Sequence, residues 1–132
     1  MTIDLTMRIL VVDDYGTMRR AMRQVLLQLG FLHIDEAIDG GMAYEMLQQN
    51  DYGLVISDWN MQPKDGLDLV RAVRTNPAMQ KMPFIMASTE GRAERIQNAI
   101  AAGVDGYLVK PVGVDSLRSK IEELLGPIPH AA

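Results

Sequence analysis

The chain has 132 residues, no cysteine and a net charge of −4, with 48% hydrophobic and 23% charged residues. That length holds one compact domain with a core of its own, and the composition is that of a globular protein. The missing cysteines exclude disulfides and thiolate metal centres, and the acidic balance speaks against a nucleic-acid partner.

No stretch approaches the roughly 20 apolar residues of a membrane span, and Met1 to Met7 lack the charged-then-apolar pattern of a secretory signal. A cytoplasmic protein is therefore expected. Residues 1–7 read as a short leader, disordered up to Thr6. Residues 127–132 read as a proline-broken tail, which leaves 8–126 as one domain.

Ile9 to Val12 is an unbroken β-branched run, the mark of a strand buried on both faces. Met18, Ala21, Met22, Val25, Leu26 and Leu29 then recur at helical spacing, and Gly30 stops the helix. His33 to Ala37 is a weaker strand candidate. Met42, Ala43, Met46 and Leu47 form the next helical stripe, closed by Asn50. Leu54 to Ile56 is the third strand, ending at Ser57 and Asp58. A turn-rich loop (Asn60, Pro63, Asp65, Gly66) leads to a helix with Leu67, Val70 and Val73 on one side. Phe84 to Met86 is the fourth strand, and Ala93, Ile96 and Ile100 stripe the fourth helix up to Gly103. Tyr107 to Val109 is the fifth strand. Val114, Leu117, Ile121 and Leu124 stripe the fifth helix, which stops at Gly126. Five strand–helix pairs in strict alternation indicate an α/β fold, a parallel sheet with helices on both faces.

In such sheets function collects beyond the carboxyl ends of the strands. Those ends here carry Asp13 and Asp14, Asp58, Ser88 and Thr89, and Lys110 followed by Pro111. Each has a duller reading alone. Asp13 or Asp14 caps a helix, Ser88 sits in a turn, Lys110 is a solvated loop lysine, and Asp58 is a strand-end acid. Together they place three carboxylates, a hydroxyl and an ammonium on one sheet edge. Clustered carboxylates repel unless positive charge is supplied, and all-oxygen ligation suits Mg²⁺. With Lys110 completing the charge, the group makes a receptacle for a phosphoryl group, with Asp58 as in-line nucleophile and Ser88 and Lys110 on phosphoryl oxygens. The product is an aspartyl phosphate.

Val11-Val-Asp-Asp14, Asp58, Ser88-Thr89 and Lys110-Pro111 resemble the receiver domain of two-component response regulators. Thr17-Met-Arg-Arg20, Ile56 to Met61 and Asp65-Gly66 point towards its stand-alone chemotaxis members of the CheY type. The resemblance implies a doubly wound, flavodoxin-like (βα)5 fold with strand order 2-1-3-4-5. It implies phosphorylation of Asp58 with Mg²⁺ held by Asp13, Asp14, Asp58 and the Asn60 carbonyl. It implies Ser88 and Tyr107 as switch residues, Lys110 on the phosphate, and a cis bond at Lys110-Pro111. Partners on that footing are a sensor histidine kinase and a downstream target such as a flagellar motor switch protein or a phosphatase, and the protein is expected to be a monomer. It acts as a switch, with a phosphate sink or a relay intermediate as alternatives within the family.

A Mg²⁺-dependent phosphohydrolase is the enzymatic rival. Such enzymes usually carry a second acid two residues after the nucleophile, where this chain has Asn60. A flavin or nucleotide module on the same fold is disfavoured by the acidic edge, since cofactor phosphates need donors. Three departures from the family pattern stand out: Gln62 where proline is usual, with Pro63 one place along, Gly113 before the fifth helix, and Gly91-Arg92 before the fourth. The ten methionines read mostly as core filler, and Arg92 and Arg95 as solvated face.

Overall fold

The computed structural model describes residues 3–129; residues 1–2 and 130–132, the outer ends of the expected leader and tail, lie outside it. Its elements alternate as the apolar pattern requires: β1 (Arg8–Val12), α1 (Gly16–Gln28), β2 (His33–Ala37), α2 (Gly40–Gln49), β3 (Leu54–Ser57), α3 (Gly66–Thr75), β4 (Phe84–Ser88), α4 (Ala93–Ala102), β5 (Gly106–Val109) and α5 (Val114–Leu125). The strands form one parallel sheet in the order β2-β1-β3-β4-β5. No helix of the described residues is long and apolar enough to cross a membrane.

Side chains alternate across a strand, so each buried strand feeds two cores. Leu10, Val12, Val55, Phe84 and Met86 face α2 and α3, where Leu47, Leu69, Val70 and Val73 meet them. Ile9, Val11, Leu54, Ile56, Ile85 and Ala87 face the other way, onto Met22 and Leu26 of α1 and Leu117 and Ile121 of α5. Burying each such side chain contributes about 1.5–3 kcal/mol before entropy is counted. This two-sided burial is why the interiors of β1, β3 and β4 are apolar up to their last positions. The edge strand β2 alternates less cleanly, with His33 exposed and Asp35 and Glu36 half-buried.

Helix ends follow local chemistry. Asp39 caps α2 by accepting from Met42 N at 2.9 Å. At α3, Asp65 Oδ1 accepts from Asp68 N and Asp68 Oδ2 from Asp65 N, a reciprocal capping box. Gly103, at φ +119°, closes α4 in the left-handed region that favours glycine.

Two expectations need correcting, beyond the exposure of Ala21 in α1 and Met42 in α2, which the helical stripes place inward. The leader is not disordered from Ile3 onward. Ile3 is buried, its N–H donates to Pro127 O at 2.9 Å, and Ile128 is buried beside it. Ile3 and Ile128 are isolated apolar residues without periodicity, so nothing in the pattern marks this contact. The second concerns α4. Ala93 and Ile100 are exposed, Ile96 is half-buried, and Ala99 is the helix's buried residue. The inward strip is Arg95, Ala99 and Ala102, spaced i, i+4, i+7. Arg95 lays its guanidinium over the Trp59 ring, 4.2 Å from the centroid, and Trp59 is only 2% exposed. A hydrophobic count passes over an arginine used as a cover for an aromatic.

Two outcomes test this packing. A Cβ built at Gly66 would collide with the Asp58 carbonyl and lie 2.8 Å from Met86 Cε and 3.1 Å from Trp59 Cα. Gly66→Ala should therefore lower unfolding stability by at least about 1–3 kcal/mol in chemical denaturation, and a neutral result would refute the close approach of α3 to the loop after β3. Arg95→Ala should uncover Trp59 and shift its fluorescence emission to longer wavelength; an unshifted spectrum would contradict the stacking.

Candidate functional site

The sheet register gathers the polar strand ends. Val12 pairs with Ser57, Ser57 with Met86, and Ser88 with Val109, so the next residue of each strand opens onto the same edge. The ladder continues past the strands: Asp58 N donates to Val12 O at 2.8 Å, Asp13 N to Ala37 O at 3.1 Å, and Lys110 N to Ser88 O at 2.8 Å. Asp13, Asp58 and Lys110 are thus positioned by main-chain bonds on neighbouring strands.

One carboxylate oxygen from each of Asp13, Asp14 and Asp58 lies within 4.8 Å of the others. Lys110 Nζ stands 2.7 Å from Asp13 Oδ2 and 3.6 Å from Asp58 Oδ2, with its side chain only 8% exposed. Asp13 Oδ1 accepts from Tyr15 N at 2.9 Å and Asp58 Oδ1 from Trp59 N at 2.7 Å. Asp14 is exposed at the rim. Burial pushes the Asp58 carboxyl above its ordinary value, against the pull of the Lys110 ammonium; Asp13 adds to the rise and the Trp59 N–H opposes it. The site therefore holds more negative charge than one ammonium balances. Three carboxylates form an all-oxygen donor set suited to a hard divalent cation, and Asn60 lines the same open cleft of about 510 Å³ with Thr17, Met18 and Thr89.

Ser88 lies apart from that lining. It is fully buried at the end of β4, and its Oγ accepts from Glu90 N at 3.3 Å, while the exposed neighbour Thr89 reaches the cleft. Tyr107 on β5 is half-buried and donates from Oη to Glu90 O at 2.6 Å. Burial raises its phenol's pKa, and a contact with the Ser88 hydroxyl pulls the other way. The two hydroxyls are therefore neighbours. The Tyr107 ring meets Trp59 edge to face at 6.2 Å, which ties β5 to the residue after Asp58.

The Lys110–Pro111 bond is cis, and so is Gln62–Pro63 in the loop after β3. Gly113 serves as the N-cap of α5, and Gly91 is exposed beside Val109. Sequence reasoning assigns the cleft hydroxyl to Ser88 where Thr89 lines the cleft, and misses Arg95 as the cover of Trp59. Thr89 is visible only as the neighbour of Ser88, and nothing in the sequence marks Arg95's contact.

Comparison with known proteins agrees with this arrangement. The profile of the response regulator receiver domain matches residues 9–122. The chemotaxis protein CheY of Pseudomonas aeruginosa is 42% identical over 118 residues, covering 89% of this chain and 95% of that protein. CheY-3 of Vibrio cholerae is 38% identical over 122 residues, covering 92% of this chain and 94% of its own length. The crystal structure of Vibrio cholerae CheY4 superposes with a TM-score of 0.83 at 31% identity, covering 91% of this chain and 99% of that one. With its five parallel strands in the order 2-1-3-4-5 and its acidic strand-end cluster, the chain belongs to the response regulator receiver domain family and is a CheY-like receiver domain.

Proposed function

We propose that residues 8–126 form a Mg²⁺-dependent phosphorylation switch in which Asp58 takes a phosphoryl group from a sensor histidine kinase and the altered surface then engages a downstream target in chemotaxis. The observation that carries this reading is the shared charge of Asp13, Asp14, Asp58 and Lys110 on one sheet edge. The names of the relatives, chemotaxis proteins at about this length, support the pathway. A flagellar motor switch protein is the target that fits those relatives.

Asp58 acts as the nucleophile. As its free carboxylate oxygen bonds to phosphorus, the bond from phosphorus to the donor's histidine nitrogen breaks, and the nitrogen keeps the electron pair. Asp58 Oδ1 stays anchored on Trp59 N during the attack, which leaves Oδ2, the oxygen nearer Lys110, to react. Lys110 then exchanges part of its contact with the carboxylates for the phosphoryl oxygens. Asp13, Asp14, Asp58 and the Asn60 carbonyl would hold a divalent cation, which supplies the positive charge that the transferring oxygens require. Asp58 is consumed and regenerated by hydrolysis, so the chain behaves as a phosphoacceptor and not as an enzyme acting on a separate substrate.

The readout falls to Ser88 and Tyr107. Tyr107 is bonded to the Glu90 carbonyl, just before α4, and touches Trp59 through its ring. A shift of the Ser88 hydroxyl towards a phosphoryl group would remove a neighbour from the Tyr107 side and change how the segment before α4 sits. Ile100 of α4 and Val109 of β5 are 55% and 48% exposed, apolar surface on the elements that would move.

Incubation with a small phosphodonor and Mg²⁺ should give an acid-stable, base-labile label on the wild type and none on Asp58→Ala; labelling that survives the substitution would sink the proposal. A second outcome concerns stability in EDTA. The raised Asp58 pKa means the native state holds this proton more tightly than the unfolded chain does, so the ionised carboxylate destabilises the fold at neutral pH. The gain from protonation is complete below the unfolded value and is lost as pH rises through the folded one. Asp58→Asn should accordingly melt higher than wild type at pH 7, with the gap closing as the pH falls towards the ordinary carboxylate range. Mg²⁺ at ten times its Kd should return about 1.4 kcal/mol to the wild type by mass action; an unchanged melting curve would count against the cation site.

A further inference from the structure

The Thr17-Met-Arg-Arg20 stretch on the first turns of α1 contains a contact that the switch does not use directly. Arg19 donates from Nη1 to the main-chain carbonyl of Asp13 at 2.8 Å and from Nε to Glu36 Oε1 at 2.8 Å. Both side chains are largely covered, at 17% and 27% exposure. Glu36 stands near the end of β2, opposite Val11 of β1, and its second oxygen receives Arg23 Nη1 at 3.4 Å. The guanidinium thus spans from the edge strand to the first residue beyond β1.

The bond to Asp13 O matters because the Asp13 carbonyl and the Asp14 N–H share one rigid peptide plane. The Asp13 side chain is already fixed by Tyr15 N on one oxygen and Lys110 on the other. Asp14 is exposed, so its aim follows from the orientation of that peptide. Arg19 fixes it. Glu36 contributes separately, by neutralising a cation that would otherwise be free to swing towards the acidic cluster.

We propose that Arg19 is a positioning residue for the Asp13–Asp14 pair, held in place by Glu36, and that divalent-cation binding at the acidic cluster depends on it. The inference rests on the cation reading above. It makes a prediction opposite in sign to plain electrostatics. Removing a positive charge near an acidic site should tighten cation binding through the field alone, whereas loss of an outer support for the ligands commonly weakens binding roughly 10- to 100-fold.

Calorimetric titration of Mg²⁺ into the metal-free protein separates the two. Arg19→Ala should raise the Mg²⁺ Kd about 10-fold. Arg19→Lys should do nearly the same, since a lysine keeps the charge but lacks the planar fork that reaches two acceptors at once. Glu36→Gln should also raise Kd, by freeing the guanidinium to compete. Thermal melts in EDTA identify any variant that fails to fold, and the lysine variant decides the matter if the alanine one does. An unchanged or tighter Kd in a folded Arg19 variant would overturn the proposal. Amide hydrogen exchange in metal-free protein gives a readout independent of the cation. The Tyr15 amide, bonded to Asp13 Oδ1, should exchange about 10-fold faster in Arg19→Lys as the local opening becomes easier, and equal rates would overturn the positioning role. A wild type that takes up no Mg²⁺ would remove the cation reading and the affinity claim with it, while exchange would still decide whether Arg19 holds the loop.

Discussion

Lys110 Nζ lies 2.7 Å from Asp13 and 3.6 Å from Asp58, and this almost buried ammonium lets two carboxylates approach each other at the edge of an apolar sheet. Without it, both acids would lie at the mouth of two hydrophobic cores with main-chain donors alone to offset their charge. A buried charge stripped of its partner is among the costliest defects a fold can carry. The parallel sheet supplies the geometry: β1, β3 and β5 end at one level, and the ladder bonds of Asp13, Asp58 and Lys110 hold their backbones there. The pairing is incomplete, since Asp14 adds a third carboxylate. The site is thus poised to take up more positive charge.

The same constraint explains how much is legible in the sequence. The strands are legible because burial on both faces demands runs such as Ile9 to Val12 and Phe84 to Met86, which polar residues cannot interrupt. Asp13, Asp14, Asp58 and Lys110 are legible for a related reason: each stands just past such a run, and the topology leaves that position one place to go. The α1 and α5 faces agree with the structure at Met22, Leu26, Leu117 and Ile121, which are bulky and periodic, while the small Ala21 of the α1 stripe is exposed. Strand order is different. Nothing in a single strand's residues states its neighbour, and the order 2-1-3-4-5 comes only with the family resemblance.

What stays hidden are contacts that depend on the shape of long polar side chains. Arg95 covers Trp59 on α4, so the helix turns Ile100 outward, where periodicity alone places it inward. Arg19 enters the sequence reading only as part of the Thr17-Met-Arg-Arg20 motif, yet it bridges Asp13 O and Glu36. Ser88 reads in the sequence as a cleft hydroxyl, and it is instead fully buried beside Tyr107, with Thr89 at the cleft. In each case the deciding quantity is the direction of a side chain, which spacing along the chain does not encode.

The bond from Ile3 N to Pro127 O joins the two ends of the described chain at 2.9 Å. It lies below the start of β1 and past the end of α5, on the side of the sheet away from the strand ends that carry Asp58. The fold is therefore nearly a closed loop of chain, with its seam remote from the chemistry. A short linker across that seam would permit a circular permutation with new ends opened in an exposed loop. For the same reason, the backbone at Ile3 and Pro127 lies on the far side of the sheet and leaves the acidic cleft open to a partner.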